Sequence, residues 1–301
     1  MKKHFFVHLV LFASLLCKAS WCDPDPDTDE NNGNITEDPE YDPTGRVSRD
    51  SIIITWSTGA DIPVELGWSA ASVIEGKFYI IGGATSTEVS NIVQIYDPGL
   101  DSWSQSDSKM RNRRWGHSSN VADETIYVMG GARVGHDTGL DTIEIFNSGA
   151  EGWLEKGTMI NGRIGHRACV YEDKIYVFGG EFEEPSLNVL DLVEAYDPQE
   201  DSWKQRANLK HGLADFSVCV IDNKIFCLGG YILWGTPGVT KVQVYDPAVD
   251  SVYMATDFQY PRYGASAVAH NNKIYLISGC NSTPPDFGFF SPKVEIGVPE
   301  F

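Results

Sequence analysis

Seven basic side chains crowd into one stretch of this sequence: Lys109, Arg111, Arg113, Arg114, Arg133, Arg163 and Arg167. The background is acidic, with 23 lysines and arginines against 42 aspartates and glutamates and a net charge of −19. A guanidinium fork binds a carboxylate or sulfate through two parallel hydrogen bonds, so the chemistry on offer is anion recognition. Arg114, Arg163 and Arg262 each stand two residues before a glycine in a recurring pattern, which assigns them to bracing the fold. Arg111, Arg113, Arg133 and Arg167 do not recur and are the candidates for binding. His136, in Arg133-Val134-Gly135-His136-Asp137, lies off the pattern in a loop, where binding residues concentrate, and joins them. His117 and His166 share one repeat position and are assigned to packing.

Other chemistry is sparse. The sequence holds no zinc-type Cys/His cluster, Walker phosphate loop, Gly-x-Ser-x-Gly elbow or His-Glu-x-x-His, so neither a metal nor a cofactor is expected. Glu181, Glu183 and Glu184 could reach a pocket as acid/base groups, although a solvated acidic loop explains them as well. Among the aromatic residues, Trp115 can stack on a sugar or peptide. Tyr231-Ile232-Leu233-Trp234 follows a glycine pair where other copies are polar, so Tyr231 and Trp234 are candidate ligand contacts on an exposed apolar loop.

These loops hang on a repeat. Gly82-Gly83, Gly130-Gly131, Gly179-Gly180, Gly229-Gly230 and Ser278-Gly279 recur at steps of 48, 49, 50 and 49 residues. Tyr96-Asp97-Pro98, Phe146-Asn147-Ser148, Tyr196-Asp197-Pro198 and Tyr245-Asp246-Pro247 follow them, and then Trp103, Trp153, Trp203 and Tyr253. Each copy reads as four short strands. The first two are joined by pairs such as Asp222-Asn223 and Asn271-Asn272, which suit two-residue hairpin turns. Second strands such as Ile175-Tyr176-Val177-Phe178 lack a polar face, as in sheets covered on both sides. Four-stranded sheets at this period suit radial packing.

The glycine pair, the Tyr-Asp-Pro turn and the spaced tryptophan resemble the kelch motif, and the resemblance covers residues 52–301. It implies an all-β, five-bladed kelch-type propeller with four-stranded blades, in repeats of about 67–115, 116–164, 165–213, 214–262 and 263–301. After Val294-Glu295-Ile296 no fourth strand follows, and Ile52–Trp56 is expected to complete the C-terminal blade and close the ring. Five blades are fewer than the six or seven usual in kelch rings, so a truncated six-bladed parent stays open.

Outside the repeats, Lys2-Lys3, an apolar run from Phe5 to Leu16 and small residues at Ala19 and Ser20 read as a signal peptide, 1–19 or 1–22. A secreted, extracellular protein is expected, with no stable membrane insertion after cleavage. Residues 20–50, Pro- and Asp-rich, read as a disordered acidic arm, which opposite charge could bring back onto the basic loops. So acidic a chain is a poor partner for nucleic acid. Asn34 and Asn281 head Asn-x-Ser/Thr sequons for glycosylation. Six cysteines suggest buried free thiols in a domain large enough not to need disulfides. Together these features point to a kelch-repeat binding or scaffold protein whose loop face takes an acidic protein segment or glycan. The alternative is a carbohydrate-active enzyme, resembling sugar mutarotases, with its pocket on the propeller axis.

Overall fold

A computed structural model describes residues 58–133, 139–147, 152–183, 187–233, 235–281 and 294–300. The leader, the acidic arm with Asn34, Ile52–Trp56, His136 and Trp234 lie outside the described residues. The first sheet contains β1 (Ala70–Ile74), β2 (Lys77–Ala84), β3 (Val89–Asp97) and β4 (Ser102–Gln105). The second contains β5 (Ser118–Ala122), β6 (Thr125–Met129), β7 (Thr142–Asn147) and β8 (Leu154–Thr158). In the third, β9 (Arg167–Tyr171) and β10 (Lys174–Phe178) are followed by a small hairpin, β11 (Glu181–Glu183) with β12 (Leu187–Val189). The sheet then continues through β13 (Val193–Asp197) and β14 (Ser202–Gln205). The fourth comprises β15 (Ser217–Ile221), β16 (Lys224–Leu228), β17 (Val242–Asp246) and β18 (Ser251–Met254). The fifth has three described strands, β19 (Ser266–His270), β20 (Lys273–Ile277) and β21 (Val294–Gly297). Pairing within each sheet is antiparallel, and the sheets are the blades of a five-bladed propeller.

Local chemistry explains the strand ends. The first hairpins turn on Asp123-Glu124, Glu172-Asp173, Asp222-Asn223 and Asn271-Asn272, each with both residues at positive φ. That is the geometry whose twist matches the flanking strands. At the next turn, Tyr96, Tyr196 and Tyr245 donate their hydroxyls to Asp101, Asp201 and Asp250, five residues on. Asp97 and Asp197 accept the N–H groups of Gly99 and Gln199 two residues on, so the Tyr-Asp signature is a self-bonded turn. Trp103 and Trp203 then pack on those tyrosines, with ring centroids 5.0 Å apart.

Apolar clusters fill the spaces between successive blades. Tyr79 and Ile81 meet Ile126 and Val128, Tyr127 and Met129 meet Ile175 and Tyr196, and Tyr176 and Phe178 meet Ile225 and Tyr245. Phe226 and Leu228 meet Ile274 and Leu276. Second strands are therefore covered on both sides. The glycine pair matters for a steric reason. A Cβ on Gly82 would lie 2.9 Å from the His117 ring, one on Gly130 2.6 Å from the His166 ring, and one on Gly179 3.0 Å from the Phe216 ring. The two histidines and Phe216 thus fill the same slot between blades. Ala265 leaves that slot without a ring, and Phe258 from the preceding loop approaches Gly229, as Met110 and Met159 approach Gly82 and Gly130.

Cys169, Cys219 and Cys227 are free thiols. Cys219 and Cys227 pack into different clusters on opposite faces of their hairpin. Burial pushes the Cys219 thiol up to about 12 and raises Cys169 and Cys227 as well. These three thiols are expected to resist a maleimide or disulfide reagent in the native protein and to react fully in denaturant, since the thiolate is the reactive form. Mass spectrometry of labelled peptides reads this directly, and rapid native labelling of Cys219 or Cys227 would contradict it.

Candidate functional site

The loop entering each blade is tied down by one side chain of that blade's third strand. Arg114 donates to Glu144 at 2.5 Å, with both side chains fully buried, and also to the carbonyls of Gly130 and Thr142. Arg163 pairs in the same way with Glu194, and Arg262 with Glu295 at 2.5 Å. Burial pushes the Arg114 and Arg163 guanidinium pKa down, and the paired carboxylate opposes that shift. The other two blades carry Leu66 and Leu213 at the arginine position, and there the third strand carries Gln94 and Gln243. Gln243 Oε1 accepts the N–H groups of Lys210 and His211, as Glu144 accepts those of Arg111 and Asn112. Arginine goes with glutamate and leucine with glutamine, so this clamp position buries no uncompensated charge.

Two of the non-recurring arginines, Arg111 and Arg133, are joined to one of these clamps. Glu144 takes the Arg111 N–H at 2.6 Å, and the Asn112 N–H and side-chain amide at 3.0 Å each. Asn112 Oδ1 in turn receives Arg133 at 2.7 Å. Arg113 pairs with Glu88 at 2.6 Å and donates to the Val89 carbonyl. Lys109, Arg111, Arg113 and Arg133 are all exposed. Among the described residues, Arg111 and Arg133 have no carboxylate within salt-bridge distance. One buried carboxylate thus fixes the backbone beneath a small exposed field of guanidinium groups. The geometry suits a multidentate anion.

Arg167 is placed elsewhere. It lies at the start of β9, mostly buried, and donates to the His166 carbonyl at 2.9 Å and to Asp215 at 3.4 Å. That position is part of an inner collar, where main-chain bonds link one blade to the next. Gly116 donates to the Trp68 carbonyl, Gly165 to Gly116, Asp215 to Gly165 and Gly264 to Asp215, at 2.7 to 3.0 Å.

With repeat, sheets and clamps in view, comparison with known proteins is decisive. The Attractin/LZTR1 beta-propeller model matches residues 69–285. The chain belongs to the Attractin/LZTR1 beta-propeller family. Within kelch-repeat proteins it is 32% identical over 115 residues to the human Kelch repeat and BTB domain-containing protein 12, covering 33% of this chain and 18% of that one. It is 31% identical over 99 residues to Kelch-like protein terF of Aspergillus terreus, covering 31% and 22%. An F-box/kelch-repeat protein of Arabidopsis thaliana is 36% identical over 69 residues, covering 23% and 16%. The matched part spans about a fifth of the length of these relatives. The structure of YjhT matches with a TM-score of 0.70 at 17% identity, covering 82% of this chain and 88% of that one, a likeness of fold.

Within this family frame, the sequence-predicted residues separate. Arg111, Arg113 and Arg133 come together. Tyr231 does not stand on an exposed loop: it is buried against Ala214, Tyr263 and Cys280, because it pairs with Ala214 across the blade entrance. Ile232 and Leu233, the next two residues, are the exposed ones, at 50% and 55%. Asn281 is exposed. Glu181 is buried beside Tyr231 and does not project as a solvated loop residue. Sequence reasoning passed over Glu144, Asn112 and Trp68. The signal for Glu144 was present, since the third-strand residue alternates between glutamate and glutamine in step with arginine and leucine.

Proposed function

We propose that this propeller is a secreted protein-binding scaffold whose loop face receives an acidic segment of a partner. The kelch-type fold supports the scaffold role, and the apolar leader supports export. The observation that carries the acidic partner is exposed Arg111 and Arg133, linked to buried Glu144 directly and through Asn112, with exposed Arg113 beside Asn112 in the chain, in a protein of net charge −19. Backbone fixed by Glu144, and an Arg133 tip already held by Asn112, lower the ordering cost of binding. The exposed Ile232 and Leu233 offer apolar contact from the loop after the fourth glycine pair.

The test is fluorescence anisotropy with a labelled octaglutamate peptide at low and high salt. Wild-type binding is expected to weaken as salt rises. The Arg111→Ala/Arg113→Ala/Arg133→Ala variant should lose at least about tenfold in affinity, roughly 1.4 kcal/mol. Equal affinity of variant and wild type would overturn the proposal.

A further inference from the structure

The inner collar, separate from the arginine group, has one residue out of place. Gly116, Gly165 and Gly264 occupy their collar positions with φ between 62° and 66°, and Asp215 with φ 49°. The equivalent residue in the first blade is Trp68, at φ 51°. The left-handed region is open to glycine and tolerated by aspartate, but for a bulky residue it costs about 1–2 kcal/mol. Glycine at the same position in three other blades shows that the fold does not need an indole there.

The indole is half-buried, its ring meeting that of Trp115 edge to face at 5.4 Å. Such a contact occupies at most one face of one ring, and both tryptophans stay partly exposed. The collar is also open at Gly264 among the described residues. Among the described residues, the series of inter-blade bonds ends at Gly264 and is not continued to Trp68, and a Cβ on Gly264 would meet nothing within 4 Å. Further round stand the Asp215 carboxylate and the Arg167 guanidinium. Trp68 and Asp215 stand three such main-chain bonds apart on the collar.

We propose that this collar is a binding site for a short oligosaccharide, with one sugar ring stacked on Trp68 and hydroxyls held by Asp215 and Arg167. The C–H face of a pyranose matches an indole, and its vicinal hydroxyls match a carboxylate and a guanidinium fork. An apolar platform with a few fixed polar groups is the general composition of small-ligand sites. The strain at Trp68 is the cost of keeping that platform at this collar position.

Saturation-transfer NMR and tryptophan fluorescence with cellobiose, lactose and chitobiose test it on the full chain. At least one disaccharide should bind saturably. Trp68→Gly should weaken that binding at least about tenfold while the melting temperature holds or rises, because strain is relieved. Asp215→Asn, which tolerates the same backbone region, should weaken it as well and serves if the tryptophan variant folds poorly. The Arg111/Arg113/Arg133 alanine variant should bind the sugar normally, so this site and the acidic-segment site fail or stand separately. Absence of saturable binding by all three sugars, or wild-type affinity in both collar variants, would sink the proposal.

Discussion

Replacing Arg114 by leucine is expected to destabilise the propeller by about 3–5 kcal/mol, and adding Glu144→Gln in the same chain to recover most of that loss. The single change leaves Glu144 as a fully buried carboxylate whose guanidinium partner is gone, although the Arg111 and Asn112 N–H groups still bond it. The double change converts the second blade to the arrangement already present in the fourth, Leu213 with Gln243, where a neutral amide holds the same two N–H groups. Glu144→Gln alone should also destabilise, since it buries an unpaired guanidinium. The measurement is a double-mutant cycle from urea unfolding of all four proteins, and the coupling should be favourable and several kcal/mol in size. Additive losses, with the double variant less stable than either single one, would show that the arginine–glutamate and leucine–glutamine pairs are not interchangeable solutions to one problem.

Acid should weaken the propeller through two rings that take no part in binding. Burial holds His117 neutral, lowering its pKa to about 3, with the Arg114 charge adding to the effect, and burial drives His166 well below its usual value too. An unfolded chain protonates histidine near 6.5. Below that pH the unfolded state takes up protons the native state refuses, so stability falls as pH drops from about 6.5 toward 3 and is unaffected above this window. At pH 4.5 the loss from His117 alone comes to about 2–3 kcal/mol. His117→Phe should fold, because Phe216 occupies the equivalent slot with no exposure, and it should lose correspondingly less stability between pH 7 and pH 4.5. Paired urea titrations at the two pH values check this. Identical acid losses in wild type and variant would mean that His117 is not held neutral.

The kelch pattern was legible because it is built from short-range rules. Left-handed hairpin pairs, the Tyr-Asp turn and the doubly apolar second strand each recur within a few residues, and five copies reinforce one another. The separation of Arg114, Arg163 and Arg262 from the other arginines was also readable, since a residue that recurs with the blade has a job in the blade. Tyr231 shows the limit of such reading. Its neighbours Ile232 and Leu233 are exposed, and nothing local distinguishes it from them. Its burial follows from the bridge to Ala214, 17 residues away in sequence, and from the Tyr263 ring of the following blade.

What the sequence determined by itself is the unit and its count: strands, turns and glycine pairs depend on neighbours along the chain, whose periodicity exposes them. What only the tertiary structure decided is which side chains share a place. That Glu144 lies beneath Arg111 and Asn112, that Asn112 receives Arg133 while Arg167 departs to Asp215, and that Trp68 stands in a collar of glycines all depend on contacts made when blades close on one another. Those contacts join residues from about 20 to 50 positions apart, where the one-dimensional pattern marks equivalence between repeats but carries no record of proximity.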